Sequence, residues 1–219
     1  MFRAKRPLLG ASVPKRGRFG KNLRQPLLSR SQDVVTLLKD NFTDTNGVNL
    51  TAHTMDVGPG WTVDTGTWTI QTNRAQMPAS TISYATSDSK QSDVTVTSIV
   101  NIATGTANGK IVGIVARFTA ASDYWRITIT LGSGTTFKIS EITTGVTTDR
   151  AGSALTFSAA TEYTLKAIFE KDNVKATVDG ANPIEYSPAT SNITATKCGM
   201  RNSFDPNQSY WDTFLVTIP

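Results

Sequence analysis

The chain has 219 residues, a formal net charge of +5 and a single cysteine, Cys198. One cysteine excludes an internal disulfide framework and leans toward assembly in a reducing cytosol. No stretch approaches the roughly 18 consecutive apolar residues that cross a bilayer, and "PLLGASV" is too short for a signal peptide, so we expect neither a membrane span nor a cleaved leader.

The positive charge is concentrated at the start of the sequence. Residues 1–30 contain three lysines, six arginines and no acid, so they carry +9, and the remaining 189 residues sum to −4. The segment also repeats Pro-Leu-Leu nineteen residues apart, in "RPLLGAS" and "QPLLSRS". Its apolar content is too low to offset the entropy of ordering it alone. The sequence therefore predicts a basic extended arm over residues 1–33 and a folded domain over residues 34–219.

From Val34 onward the composition is that of a β protein. All 34 threonines lie after position 35, and valine, isoleucine and aromatic residues accompany them. Such residues suit half-buried strands, and turn signals recur roughly every 8–12 residues, as in a sandwich or barrel. Nothing repeats with the helical period, so we expect almost no helix. Twelve strands are predicted, at Val34–Phe42, Thr67–Gln71, Ala75–Met77, Thr81–Ala85, Val94–Ile102, Lys110–Thr119, Tyr124–Leu131, Phe137–Ile142, Glu162–Phe169, Val174–Val178, Lys197–Met200 and Trp211–Ile218.

Alternation within these segments predicts which side chains face the core. In "YWRITITL", Trp125 and Ile127 point to one face, while Arg126 and Thr128 point to the other. "EYTLKAIF" and "NVKATVDG" alternate in the same way around a "KDN" turn. "KIVGIVARF" is apolar in both phases, which predicts a central strand covered on both faces. A dozen such strands indicate an all-β, two-sheet antiparallel jelly-roll sandwich.

The order of several motifs resembles one known family. "DNFTDTNGVNL…GPGWTVDTGTWTIQTNRAQM", "ASDYWRITI", "TEYTLKAIFEKDNVKATVDG" and "SYWDTFLVTIP" follow one another as in the concanavalin A-like lectin/glucanase (laminin G-like) jelly rolls. The resemblance covers roughly residues 38–219 and none of the arm. It implies that the first and last strands lie side by side, which would pair Asp40–Phe42 with Trp211–Val216.

Catalytic and metal-binding patterns are weak in this sequence. Glycoside hydrolysis needs two carboxylates about 5–9 Å apart, and the nearest approach to the family's Glu-x-Asp-x-Glu strand, "EKDNV" from Glu170, falls on a hairpin turn. The single histidine, His53, lies in the polar loop "LTAHTMD" without a triad motif, and Cys198 is expected in the core. "DTNGVN" lacks the acid that completes a calcium loop. We therefore expect no enzymatic activity, no cofactor and no metal.

Glycan binding remains an alternative. Saccharide sites use aromatic rings with polar neighbours, and the aromatic candidates are Trp61, Tyr84, Trp125, Tyr210 and Trp211. The family pattern places the tryptophans in core or strand-pairing positions, so packing is the simpler interpretation of these rings.

Three hypotheses compete for the arm: a solubilising tail, a nucleic-acid-binding segment, and an anchor on neighbouring protein subunits. Nine cations suit phosphates, but Phe2 and Phe19 are its only rings. The repeated Pro-Leu-Leu favours the anchor, because an extended backbone with apolar side chains fits shallow grooves. Nineteen extended residues span at most about 65 Å. The predicted partner-binding residues are Arg3, Lys5, Arg6, Leu8, Leu9, Lys15, Arg16, Arg18, Arg24, Leu27, Leu28 and Arg30.

A basic arm on a disulfide-free jelly roll resembles phage virion proteins. The sequence hypothesis is a non-enzymatic virion structural protein, such as a capsid decoration or fibre-base protein, assembled in the host cytoplasm and bound to capsid subunits in a symmetric lattice. The alternative is a glycan-binding adhesin or lectin module, with host glycans as partners. Nucleic acid is the less favoured partner of the arm.

Overall fold

The computed structural model describes residues 34–77, 82–102, 109–131, 136–203 and 209–219. The arm and its twelve predicted partner-binding residues lie outside these ranges, and their predicted role stays a prediction. Residues Val34–Pro219 form a compact unit. Within the described ranges no helix is present, and so none that is able to cross a membrane.

Fifteen strands make up the regular structure of the described residues. They are β1 (Thr36–Asp40), β2 (Thr62–Thr65), β3 (Thr69–Ile70), β4 (Ala75–Gln76), β5 (Ser83–Asp88), β6 (Val94–Asn101), β7 (Ile111–Ala120), β8 (Asp123–Thr130), β9 (Phe137–Thr143), β10 (Val146–Ser153), β11 (Glu162–Glu170), β12 (Asn173–Val178), β13 (Ala181–Tyr186), β14 (Lys197–Ser203) and β15 (Tyr210–Thr217).

The strands form two antiparallel sheets. The eight-stranded sheet has the order β13-β12-β11-β6-β15-β4-β3, with β1 also paired to β15. The seven-stranded sheet has the order β10-β9-β8-β7-β14-β5-β2. Strand β7 lies at the centre of its sheet, as the two-phase apolar pattern of "KIVGIVARF" predicts. The predicted two-sheet antiparallel sandwich is confirmed.

The first and last strands lie side by side. Asp40 pairs with Phe214 and Leu38 with Val216, so the pairing implied by the resemblance is confirmed. On the same edge of β15, Trp211 pairs with Ala75 of β4. Strand β15 therefore pairs with β1 and β4 on one edge and with β6 on the other.

Three strands were not predicted, and all three are edge strands. Strands β10 and β2 close the two ends of the seven-stranded sheet, and β13 closes one end of the other. Most residues of β10 are exposed, and β13 contains Pro183. An edge strand buries little and tolerates proline, so it lacks the alternation that identifies an interior strand. The predicted strand Thr81–Ala85 is also displaced, because β5 continues to Asp88.

The core fills the space between the two sheets. The alternation predicted for β8 and β12 is confirmed, since Trp125, Ile127 and Val174 are fully buried there. The Trp68 and Trp211 rings meet edge to face with their centroids 5.0 Å apart. Cys198 is buried in the same core, and burial raises the pKa of its thiol to about 12. The predicted core role of this cysteine is confirmed.

Candidate functional site

The outer face of the seven-stranded sheet, which points away from this core, is also buried. Tyr84, Val115, Phe118, Tyr124 and Ile142 form a second hydrophobic cluster there. The solvent face of the eight-stranded sheet differs, because its outward residues on β6, β11 and β12 are only partly buried or exposed. A sheet buried on both sides in an antiparallel sandwich is unusual, since one face is normally solvated.

Two arginines lie on this outer face. Arg126 alternates with the core residues of β8, and Arg201 alternates with the core residues of β14, so both side chains point outward. They are 9% and 3% exposed. The Nε atom of Arg126 and the Nε and Nη1 atoms of Arg201 have no hydrogen-bond partner among the described residues. Ser203, one alternation beyond Arg201, also leaves its hydroxyl unpartnered there.

The two arginines carry like charges, which repel each other. Burial lowers the pKa of Arg126, and the positive charge of Arg201 lowers it further. Tyr124, Asp149 and Tyr84 raise the pKa of Arg126 and partly offset these effects. Among the described residues, no carboxylate lies within ion-pair distance of either guanidinium. Guanidinium does not deprotonate in proteins, so both groups stay charged and incompletely paired.

Aromatic rings form a floor beside the arginines. The hydroxyls of Tyr84 and Tyr124 are 2.7 Å apart. Phe118 packs against both rings, with centroids 5.6 and 5.4 Å away. Burial and the hydrogen bond to Tyr124 raise the pKa of Tyr84 to about 12, and Arg201 partly opposes this shift. These rings pack against one another, and Tyr84 of β5 pairs with Arg201 of β14.

Two glycines keep the central strands close together. Gly113 of β7 pairs with Arg201 on one side and Thr128 on the other. A Cβ at Gly113 would overlap the Ile127 carbonyl oxygen, and a Cβ at Gly199 would overlap that of Ala85. Glycine within a strand often marks such a close backbone approach. Neither position carries a side chain between the arginines.

Two carboxylates of this face sit at its opposite edges, and Asp88 alternates outward at the end of β5. Asp64 of β2 accepts a hydrogen bond from Thr86, and Asp149 of β10 accepts from Ser140 and from Lys138. Strands β2 and β10 are opposite ends of the sheet, six strand spacings of about 4.8 Å apart. The two carboxylates are therefore too far apart for glycoside hydrolysis, which needs about 5–9.5 Å. The predicted "EKDNV" segment does form the turn between β11 and β12, as expected.

His53 belongs to a separate buried cluster. Its Nε2 lies 2.9 Å from Asp40 Oδ1, and its Nδ1 lies 3.0 Å from Asp44 Oδ2. The Trp61 indole donates to Asp40 Oδ2 over 2.6 Å, and the Phe42 amide donates to Asp40 Oδ1. Burial lowers the pKa of His53, but the hydrogen bonds to Asp44 and Asp40 outweigh it and the net shift is upward. The cluster holds the "DNF" strand against the "GW" loop and has no nucleophile in its described hydrogen-bond network.

One further pocket has polar lining. It measures about 220 Å³ and is lined by Asn49, Thr51, Val63, Gly66, Thr67 and Trp68. The indole nitrogen of Trp68 is buried without a hydrogen-bond partner among the described residues. Within the described ranges, no group of three acids, histidines or cysteines is placed to hold a metal.

The tryptophans proposed as glycan aromatics are core residues, as the packing interpretation predicts. Trp61, Trp125 and Trp211 are buried between the sheets. Tyr84 is the one candidate on the outer face, and Tyr210 lies at the other sheet under Arg74. Sequence reasoning missed Arg126 and Arg201 as site residues. The signal was an arginine within an alternating strand, together with glycines inside "VGIV" and "CGMR".

No protein-family model matches this chain, and no curated protein does. Solved structures match it in fold. One is the carbohydrate-binding module CBM66 from Bacillus subtilis, with a TM-score of 0.56 and 20% identity over 73% of this chain and 92% of that one. Another is a mutant of SCLam, a non-specific endo-β-1,3(4)-glucanase of family GH16, with a TM-score of 0.59 and 12% identity over 85% of this chain and 95% of that one.

This chain has the two-sheet jelly-roll fold of these solved structures. The predicted fold and the resemblance to that fold family are confirmed. The GH43 protein BlXynB from Bacillus licheniformis matches with a TM-score of 0.62 and 13% identity over 83% of this chain, which spans 39% of that longer protein. Binding modules and hydrolases share this fold, so the function must be argued from the site.

Proposed function

We propose that this protein is a non-enzymatic glycan-binding module, and that the outer face of the seven-stranded sheet binds the saccharide. The observation that carries the proposal is the pair Arg126 and Arg201, in which three guanidinium nitrogens are buried on that face without partners among the described residues. Buried polar groups normally have partners, so orphaned donors indicate a place where a ligand supplies the acceptors.

The chemistry of the face suits a polyhydroxylated ligand. A saccharide offers hydroxyl and ring oxygens as acceptors, and arginine offers five donors in a fixed fork. Binding sites combine apolar lining with a few placed polar groups, and here the floor of Tyr84, Phe118 and Tyr124 stands beside two guanidiniums. A low-dielectric surrounding strengthens each hydrogen bond that the ligand makes.

The opposite sheet is a weaker candidate. Its solvent face has a pocket of about 200 Å³ lined by Lys166, Ile168, Lys175, Ala176, Thr177 and Gly180. This pocket has no aromatic side chain and no buried donor without a partner among its lining residues. Its polar side chains are the Thr177 hydroxyl and two lysines with long, flexible side chains.

The structural neighbours favour glycan binding over the virion role. CBM66 is described as a carbohydrate-binding module, and the SCLam mutant is described with 1,3-β-D-cellobiosyl-glucose at its active site. Neither description names a virion protein. The separation of Asp64 and Asp149 supports binding without hydrolysis. The virion hypothesis stays a prediction that concerns the arm.

A glycan array followed by calorimetry of the full chain tests the proposal. We expect wild type to bind at least one saccharide, and Tyr124→Ala to weaken that binding because the aromatic ring beside Arg126 is lost. Tyr210→Ala, a tyrosine of the other sheet, is the matched control. Asn49→Ala tests the pocket beside Trp68 as an alternative location. A chain that binds no saccharide on the array would contradict the proposal.

A further inference from the structure

The two arginines of the outer face also indicate which kind of saccharide binds, an inference that rests on the proposed function. Both arginines are cations. A neutral sugar needs hydrogen-bond donors but not two cations, and buried cations without partners are strongly unfavourable. An asparagine or a serine would donate to a hydroxyl without that penalty.

A third arginine shows how this protein pairs a buried guanidinium for structural purposes. Arg117 donates to the carbonyl oxygens of Ala189 and Lys171 over 3.0 and 2.5 Å, and Asp93 lies 3.4 Å away. Its terminal nitrogens thus have three acceptors, whereas its Nε, like that of Arg126, has no hydrogen-bond partner among the described residues. Neither Arg126 nor Arg201 has such a set among the described residues.

The nearest acid to the pair is already engaged. Asp149 attracts Arg126 electrostatically, yet its two oxygens accept from Lys138 and Ser140. Arg126 and Arg201 repel each other, and this repulsion lowers the pKa of Arg126 in addition to burial. The pair is therefore a positive centre on the middle strands of the face, with its balancing carboxylates at the edges.

Strand β7 separates the two arginines. Arg201 and Arg126 stand on β14 and β8, on either side of β7. On β7, Gly113 faces Arg201 and Val115 faces Arg126. On β14, Gly199 pairs with Val115. Of these three neighbours only Val115 carries a side chain, and it is fully buried.

We propose that the saccharide bound here is acidic, and that Arg126 and Arg201 together hold its carboxylate or sulfate. Arginine forks match both groups bidentately, and charge-assisted bonds of this kind are about twice as strong as neutral ones. The hydroxyl of Ser203, unpartnered among the described residues, is available to a further oxygen of the ligand. The anion supplies the acceptors and the negative charge that the described residues do not.

The test is calorimetry of the full chain in 0.3 M NaCl, where the Debye length is about 6 Å and non-specific attraction to the net charge of residues 1–33 is weakened. The probes are trigalacturonate, its neutral methyl ester, and a sulfated galactan tetrasaccharide, which together separate carboxylate from sulfate recognition. We expect an acidic probe to bind at least about tenfold more tightly than the ester. Arg126→Met and Arg201→Met are each expected to weaken acidic binding by about 10- to 100-fold.

Matched variants separate binding from folding. Arg74→Met removes a partly exposed arginine beside β4 and is expected to leave the affinity for the acidic probes unchanged. Arg201→Lys keeps the charge but loses the fork, so it is expected to bind with intermediate affinity, and it serves if the methionine variant fails to fold. Thermal unfolding of each variant shows whether lost binding reflects lost structure.

Three results would overturn the inference. If the neutral ester binds as tightly as the acid, the proposed glycan binding stands and the inferred selectivity for acidic saccharides is wrong. If acidic binding survives unchanged in both Arg126→Met and Arg201→Met, another part of the chain, such as the arm, holds the anion. If neither these probes nor a neutral glycan array shows binding, the inference and the proposed function fail together.

Discussion

Replacing each buried arginine by methionine separates structural from ligand-binding roles. Arg117 has a fully buried side chain and three acceptors, two of them main-chain carbonyls. Arg117→Met leaves the Ala189 and Lys171 carbonyls without this donor. Hydrogen bonds to charged groups contribute about 1.5–3 kcal/mol each, and breaking a buried pair costs about 3–5 kcal/mol. We therefore expect a loss of about 3–5 kcal/mol in the free energy of unfolding.

Arg126→Met and Arg201→Met are expected to behave differently. Each variant removes a buried charge that has few partners, and it retains most of the apolar side-chain volume. Replacement of buried ionic groups by apolar ones is often neutral or stabilising by about 1–4 kcal/mol. We expect both variants to unfold at or above the wild-type denaturant midpoint.

Denaturant unfolding at pH 7, and thermal unfolding as a second probe, measure these differences. At about 2–4 °C per kcal/mol for a domain of this size, Arg117→Met is expected to melt about 6–20 °C below wild type. If Arg201→Met lost as much stability as Arg117→Met, its guanidinium would be holding the fold. The unpartnered nitrogens would then not indicate a ligand at the outer face.

Four further predictions concern other parts of the chain. Gly199→Ala is expected to lower the free energy of unfolding by about 1–3 kcal/mol or more in denaturant titrations, because its Cβ meets the Ala85 carbonyl. The pKa of His53 is raised in the folded state, so its contribution to the free energy of unfolding is full below the unfolded pKa of 6.5 and is lost as pH rises through the folded pKa. The free energy of unfolding, measured from about pH 5.5 to 9, is therefore expected to fall for wild type and to change less for His53→Gln. Cys198, with its thiol pKa raised to about 12, is expected to react with a thiol reagent at about pH 8 only on unfolding, and prompt reaction would contradict its burial. Deleting residues 1–33 is expected to abolish attachment to viral particles in a co-sedimentation assay, and unchanged attachment would refute the anchor hypothesis.

The pairing of the terminal strands was predictable through the family resemblance and not from a local pattern. The resemblance runs through "DNF" and "GW", and in the structure the Trp61 ring packs against Phe214 of β15 with the centroids 5.0 Å apart. The Asp40 carboxylate accepts from the Trp61 indole and from the Phe42 amide, while His53 lies against it. A loop histidine with no motif around it gave no sign of this contact, because the partner lies thirteen residues away in the chain.

Strand prediction succeeded for every interior strand of the two sheets. It failed at β2, β10 and β13, because sheet edges bury too little to impose alternation. The pattern "YWRITITL" also placed Arg126 on the correct face. Alternation tells which face a residue occupies, but it does not tell whether that face is solvated.

The candidate site depends on pairing between distant segments. Arg201 and Arg126 are brought to one face by the order β14-β7-β8, which joins three segments separated by many residues. No local pattern records that order. The glycines of "VGIV" and "CGMR" are the only sequence sign of the close strand approach, and they do not identify their neighbours.

The most direct measurement is a crystal structure of the full chain grown with the saccharide that binds most tightly in calorimetry. The account predicts ligand density on the outer face of the seven-stranded sheet, with oxygens of an acidic group within about 3 Å of the Arg126 and Arg201 guanidiniums. Density confined to the pocket beside Trp68, or to the solvent face of the eight-stranded sheet, would contradict the account.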